Sequence, residues 1–140
     1  PNDLARFRRT GHRRDLNRPQ FRLEALERRL QDPDADATNV LAALRHALEV
    51  RSSQPGLHPD AAMTVLSPDR SDLVILKRSI DGDHALYAVH NITSNRLTLS
   101  LAQLRAEGDR GFVDCLSGQS FSAQEQPSIE PYAVHWLVKP

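Results

Sequence analysis

The hydrophobic positions of this chain change period partway along its length. In FRLEALERRLQD, Phe21 to Asp32, the residues Leu23, Leu26 and Leu30 fall at i, i+3 and i+7, one stripe of a helix. Pro19 ahead of it and the run DPDAD behind it punctuate its ends. The next run, ATNVLAALRHALEVRSSQPG, places Val40, Leu41, Leu44, Ala47 and Leu48 on one face and predicts a second helix, read as scaffold. Thr38 or Asn39 offers an N-cap oxygen, and Pro55 with Gly56 stops the helix. Upstream of both, from Pro1 to about Gln20, there is no apolar period. Gly11 and Pro19 mark that stretch as an irregular loop.

From Ala62 the period shortens. MTVLS, DLVILKRSI, HALYAVHNIT, NRLTLSL, GFVDCLSG and YAVHWLVK are short runs rich in β-branched and aromatic residues. The turn signals SPDRSD, DGD, TSN, EGDRG and SGQS separate them. In SIDGDH the Asp-Gly pair tolerates positive φ and predicts a hairpin. Along the following strand Leu86, Ala88 and His90 alternate with Tyr87, Val89 and Asn91. Six or seven such strands imply an antiparallel sandwich or barrel. The chain therefore divides into a loop with two helices, residues 1–56, and an all-β unit, residues 57–140. Helices followed by a β unit is an odd order for a free-standing domain, and it implies further chain on the N-terminal side.

Composition narrows the function. The 140 residues leave room for one domain with a real core, or for parts of two. Lys plus Arg and Asp plus Glu are both 18, a balance that argues against a dedicated nucleic-acid binder. Cys115 stands alone, so no intrachain disulfide and no cysteine-based zinc site can form, and a reducing compartment, the cytoplasm, follows. No run of eighteen apolar residues exists, and the N-terminus has no signal-peptide apolar core. It also lacks an initiator methionine, so the chain is read as beginning partway into a longer one.

The usual catalytic constellations are missing. The six histidines form no tight pair, so a zinc site would need distant ones to converge. Cys115 sits in a predicted strand and reads as a small core residue. There is no nucleophile elbow, phosphate loop or dinucleotide glycine pattern, and hence no cofactor is expected. Nothing in the spacing of Asp15, Asp69 or Asp72 singles out an acid and a base.

What stands out is charge. Between Arg6 and Arg18 lie six arginines and one acid, Asp15. The planar fork of arginine suits phosphates, carboxylates and sugar hydroxyls. A nucleic-acid arm would interleave aromatics, and only Phe7 and then Phe21 lie nearby. Gly11, Asp15 and Asn17 make this a shaped loop rather than a solvated tail. Composition leaves three uses open: solvated surface, a small-anion or sugar site, and nucleic-acid contact.

The segment TGHRRDLNR, Thr10 to Arg18, resembles the late active-site loop of sucrose phosphorylase and its relatives in the α-amylase superfamily, glycoside hydrolase family thirteen. After it, FRLEALERRLQDP is similar to the family's Leu/Glu-patterned helix. LRHALEVRSSQPGLHP is similar to its last barrel helix, with Leu57 in place of an aromatic residue. His90-Asn91 and PYAVHWL resemble strand ends of its C-terminal β-domain. The resemblance covers nearly the whole chain in order. It implies the last loop and helices of a (β/α)8 barrel, followed by an antiparallel all-β C-terminal sandwich domain.

It also implies roles. Arg14 matches the arginine that contacts the glucosyl unit beside the scissile bond. Asp15, Asn17 and Arg18 match the rest of that loop. The catalytic nucleophile, acid/base and transition-state-stabilising carboxylates would all lie upstream of Pro1, so none is in this chain and alone it would not turn over. The implied mechanism is double displacement with retention, with phosphate taking the glucosyl group from the enzyme. His12 and Arg13 are candidates for the anionic acceptor. Sucrose phosphorylase itself has a glycine where this chain has Arg13, so relatives acting on glucosylglycerate or phosphorylated sucrose fit at least as well as sucrose phosphorylase. Implied partners are a small sugar, phosphate and the rest of the barrel, as an upstream segment or another chain, without nucleic acid, membrane, metal or cofactor. Two alternatives come from other classes: a carbohydrate-binding β-module and a nucleic-acid adaptor using the arginine loop. The module has a thin aromatic supply, since Tyr132 and Trp136 read as core.

Overall fold

The computed structural model describes residues 3–17, 22–66, 70–80, 82–104 and 111–140, and structural statements concern these residues. The chain forms two compact units, Pro1–Leu44 and Arg45–Pro140.

Among the described residues, the regular elements of the N-terminal unit are all helices. Where no apolar period predicted a loop, two short helices form, α1 (Leu4–Thr10) and α2 (Arg14–Asn17). The cause is capping rather than burial. The Asp3 carboxylate accepts the Arg6 N–H at 2.7 Å, satisfying a donor that a helix start would otherwise orphan. Gly11 ends α1 in the left-handed region at φ 67°, its N–H donating to the Phe7 carbonyl at 2.7 Å. Neither helix buries a stripe, so hydrophobic periodicity could not reveal them.

The predicted helices follow as α3 (Leu23–Gln31) and α4 (Asp36–Ser53). α4 starts two residues before the expected cap at Thr38. Thr38 instead lies inside the helix, and its hydroxyl donates to the Arg29 carbonyl at 2.9 Å, tying α3 to α4. Asp32 holds the turn between them by accepting the Asp34 N–H at 3.0 Å. The apolar stripes are real but bare. Val40 is 67% exposed and Leu44 55%, and Leu23, Leu26 and Leu48 are exposed as well.

The C-terminal unit begins with the end of α4 and is then mainly antiparallel β, as expected. Its strands are β1 (Ala62–Val65), β2 (Leu73–Ile80), β3 (Asp83–Asn91), β4 (Leu97–Thr98), β5 (Phe112–Asp114), β6 (Ser120–Phe121), β7 (Ser128–Ile129) and β8 (Val134–Val138). Six form one sheet in the order β1-β2-β3-β8-β5-β6, and β4 pairs with β7 in a second. The predicted β2–β3 hairpin forms, with Gly82 at φ 80° and Ile80 opposite Asp83; Asp81 of the turn lies outside the described residues. So do the turn residues at 67–69 and 105–110. β6 and β7 were not expected, because two residues carry no readable alternation.

β3 sits at the centre and is buried on both faces. Tyr87 and Val89 join a core with Leu73, Ile75, Leu99, Leu101, Leu104, Phe112, Phe121, Ile129 and Leu137. Tyr87 and Phe112 meet edge to face with ring centroids 5.6 Å apart. Leu86 and Ala88 face the other way, against Leu57 of a 3-10 turn, Pro55–Leu57. That turn approaches so closely that a Cβ on Gly56 would lie 2.9 Å from the Leu86 Cβ. Each of the large buried side chains contributes roughly 1.5–3 kcal/mol of transfer free energy. Tyr132 is not core: it stands outside β8 at φ 57° and is 67% exposed. Trp136 is half-buried beside the second cluster. Among the described residues no helix is long and apolar enough to cross a membrane.

Candidate functional site

The arginine loop is built around one carboxylate. Asp15 lies in the first turn of α2, and its Oδ1 forms an ion pair with Arg6 Nε at 3.1 Å. Its Oδ2 accepts the hydroxyl of Thr10, the last residue of α1. The same hydroxyl lies 3.0 Å from the Arg6 carbonyl, and its oxygen accepts the His12 N–H at 3.2 Å. The backbone adds further ties: the Asp3 N–H donates to the Asp15 carbonyl at 3.1 Å and the Asp15 N–H to the His12 carbonyl at 3.0 Å. Asp15 is the anchor of the loop, with its side chain only 12% exposed.

The remaining predicted residues divide clearly. His12, Arg13 and Arg14 are exposed on consecutive positions beside this anchor. Asn17 ends α2. Arg18 lies outside the described residues. With Asp15 neutralised from within, His12, Arg13 and Arg14 offer donors to an anion or to sugar hydroxyls. Sequence reasoning missed Arg6 and Thr10 as partners of Asp15. The available signal was their i, i+4 spacing on α1, which puts both on one helix face just before the Gly11 turn.

A second polar cluster lies in the β unit. Asp114 ends β5 and is 1% exposed. Its Oδ2 accepts from Ser117 Oγ at 2.7 Å and from His135 Nδ1 at 3.0 Å, and its Oδ1 from the Trp136 N–H at 2.9 Å and the Leu116 N–H at 3.2 Å. Burial pushes its carboxyl up, but the hydrogen bonds from His135, Ser117, Trp136 and Leu116 outweigh this and hold it at about 2. Ser117 and His135 both bond the same carboxylate oxygen and not each other, so His135 does not activate Ser117 as a nucleophile. The cluster fastens the β5–β6 turn to β8. Cys115 beside it is half-buried; burial and then the Asp114 charge push its thiol up, away from nucleophilic use.

Asn91 is the other buried polar side chain. Its Nδ2 donates to the Asn95, Glu130 and Ile129 carbonyls at 2.7, 2.9 and 3.3 Å, and its Oδ1 accepts from the Thr93 N–H and hydroxyl, both at 2.9 Å. It joins two loops at one end of the sheet. The described residues hold no group of three or more His, Cys, Asp or Glu placed to bind a metal.

Comparison with known proteins places this chain beside carbohydrate enzymes. No family model matches it. A glucosylglycerate phosphorylase of Allomeiothermus silvanus is 33% identical over 138 residues, covering 99% of this chain and 22% of the relative. A glucosylglycerate phosphorylase of Escherichia coli is 24% identical over 136 residues, covering 97% and 23%. The chain thus spans less than a quarter of the length of these curated relatives. Among solved structures, AmyP in complex with maltose matches with a TM-score of 0.54 at 22% identity, over 65% of this chain and 18% of AmyP. A mutant of MutB, from crystals soaked with trehalulose, matches with a TM-score of 0.56 at 17% identity, over 81% and 19%. These two show likeness of fold. The resemblance expected from the motifs holds: the chain is similar to a C-terminal segment of family-thirteen enzymes, and the curated relatives are glucosylglycerate phosphorylases.

Proposed function

We propose that this chain is the C-terminal part of a retaining α-glucoside phosphorylase or glycosidase of glycoside hydrolase family thirteen. The whole enzyme moves a glucosyl unit from a glucosylglycerate-like or sucrose-like glucoside to phosphate. The observation that carries the reading is the 33% identity to a glucosylglycerate phosphorylase across 138 of the 140 residues. On this reading residues 1–56 close the catalytic barrel and residues 57–140 form its C-terminal β-domain. The bare apolar stripes of α3 and α4 support it, because Leu23, Val40, Leu44 and Leu48 need a covering surface that the rest of a barrel supplies.

The mechanism assigns this chain a binding role. An upstream aspartate attacks the anomeric carbon while a glutamate protonates the leaving oxygen. Phosphate then displaces the aspartate, and two inversions give net retention. Arg14 donates to the glucosyl unit beside the scissile bond. It gains weight in the transition state, where the ring is distorted and a misplaced contact is lost. His12 and Arg13 face the acceptor side and bind the carboxylate of glycerate or the incoming phosphate. Asp15, with Asn17 and Arg18 after it, shapes the loop.

Arg14→Ala in the full-length gene product is expected to lower kcat/KM for phosphorolysis by roughly a hundredfold or more, the cost of a lost charged contact near the transition state. Wild-type kinetics in that variant would remove Arg14 from the site. The carbohydrate-binding module is the weaker reading, because Tyr87, Phe112 and Phe121 are buried and, of the β unit's aromatics, Tyr132 alone stands well exposed.

A further inference from the structure

Two residues with no part in that mechanism hold the loop that carries it. α2 is only four residues long, and a single turn fixes several dihedrals for very few hydrogen bonds. It cannot set the direction of Arg14 by itself. Asp15, the next residue, is fixed from α1 at both carboxylate oxygens, by Arg6 at 3.1 Å and by the Thr10 hydroxyl. The Thr10 oxygen also receives the His12 N–H at 3.2 Å, so one side chain ties both flanks of Arg13-Arg14. The Asp3 N–H completes the frame at the Asp15 carbonyl, 3.1 Å away.

Charge points the same way. An unpaired carboxylate beside Arg14 would compete with substrate for its guanidinium. Arg6 and Thr10 engage both oxygens of that carboxylate, and Arg14 stays exposed.

We propose that Arg6 and Thr10 are positioning residues, which hold Asp15 and thereby fix Arg14 against the glucosyl unit. This inference rests on the reading of Arg14 as a substrate contact. It separates Arg6 from the other described arginines of the cluster, because its guanidinium is paired with Asp15.

The test is a double-mutant cycle in the full-length gene product, read as phosphorolysis of glucosylglycerate. Thr10→Val keeps the shape and removes the hydroxyl. It is expected to lower kcat/KM about tenfold, mainly through kcat, from losing the hydroxyl's ties to Asp15 and to the His12 N–H. Thr10→Ser is expected to restore the activity. In an Arg14→Ala background Thr10→Val is expected to cost less than about twofold, because its effect passes through Arg14. Arg6→Gln, which removes the charge that pairs with Asp15, repeats the cycle should Thr10→Val fail to fold. An equal fold loss with and without Arg14 would overturn the inference. So would wild-type kinetics for Thr10→Val and Arg6→Gln while Arg14→Ala remains impaired. An Arg14→Ala enzyme with unchanged kinetics would instead overturn the role of Arg14, and the positioning role with it.

Discussion

Asp114 shows how one buried charge can be worth keeping. Taking a carboxylate out of water is costly, and only a full set of donors offsets it. Asp114 has four such donors, two from backbone and two from side chains. Its folded value of about 2 lies below the ordinary carboxylate value, so the unfolded chain binds its proton at higher pH than the folded chain does. The resulting stability, about 2 kcal/mol, is fully present above pH ~4 and is lost as the pH falls toward ~2. Asp114→Asn replaces one acceptor by a donor and is expected to lower stability by about 2 kcal/mol at pH 7. Urea unfolding of wild type and variant from pH 7 down to pH 2.5 checks this. The gap should narrow below about pH 4, and a constant gap would contradict the assignment. Asn91→Asp tests the second buried group. Its new oxygen would face the three carbonyls that Nδ2 now serves, and a loss of roughly 2–4 kcal/mol is expected in the same assay. Both side chains were printed in the sequence, but neither role was legible there. Each depends on backbone groups that only the folded loops bring together, such as the Trp136 N–H and the Glu130 carbonyl.

At the level of elements, legibility followed the apolar period. α3, α4 and the longer strands carry apolar spacings that mark their period, and all of them form. α1 and α2 have no such stripe. They depend on Asp3, Gly11 and Thr10, whose capping and turn chemistry left a weaker trace than a row of leucines. β6 and β7 are too short for any period, and contacts distant in sequence define them. Phe121 is paired with Phe112, and Ile129 with Leu97. The β5–β6 pair rests on Gly111, where a Cβ would lie 1.9 Å from the Phe121 carbonyl oxygen. Gly111→Ala therefore must displace backbone, and it is expected to destabilise the chain by at least about 2 kcal/mol, measured by urea unfolding. An unchanged midpoint would mean that β5 and β6 do not approach this closely.

At the scale of the whole molecule, the bare faces of α3 and α4 connect structure to proposed function. A stripe of leucines on a helix is normally covered, and here Val40 and Leu44 face solvent. The 140-residue chain expressed alone is expected to self-associate at micromolar concentration, and Val40→Lys with Leu44→Glu should render it monomeric by light scattering. In the full-length gene product the same pair should lower thermal stability, because it charges a covered surface. The loop from Thr10 to Arg18 was legible as a family resemblance, and on the proposed function the carboxylates it would serve lie outside this chain. The account is tested most directly by incubating the full-length gene product with glucosylglycerate, sucrose or sucrose phosphate in the presence of inorganic phosphate, and following the α-anomer of glucose 1-phosphate together with free glucose by NMR. The account predicts glucosyl transfer with retention by the full-length product, reduced at least about a hundredfold by Arg14→Ala, and no turnover by the 140-residue chain alone. A folded full-length product that releases neither sugar from any of the three glucosides would contradict it.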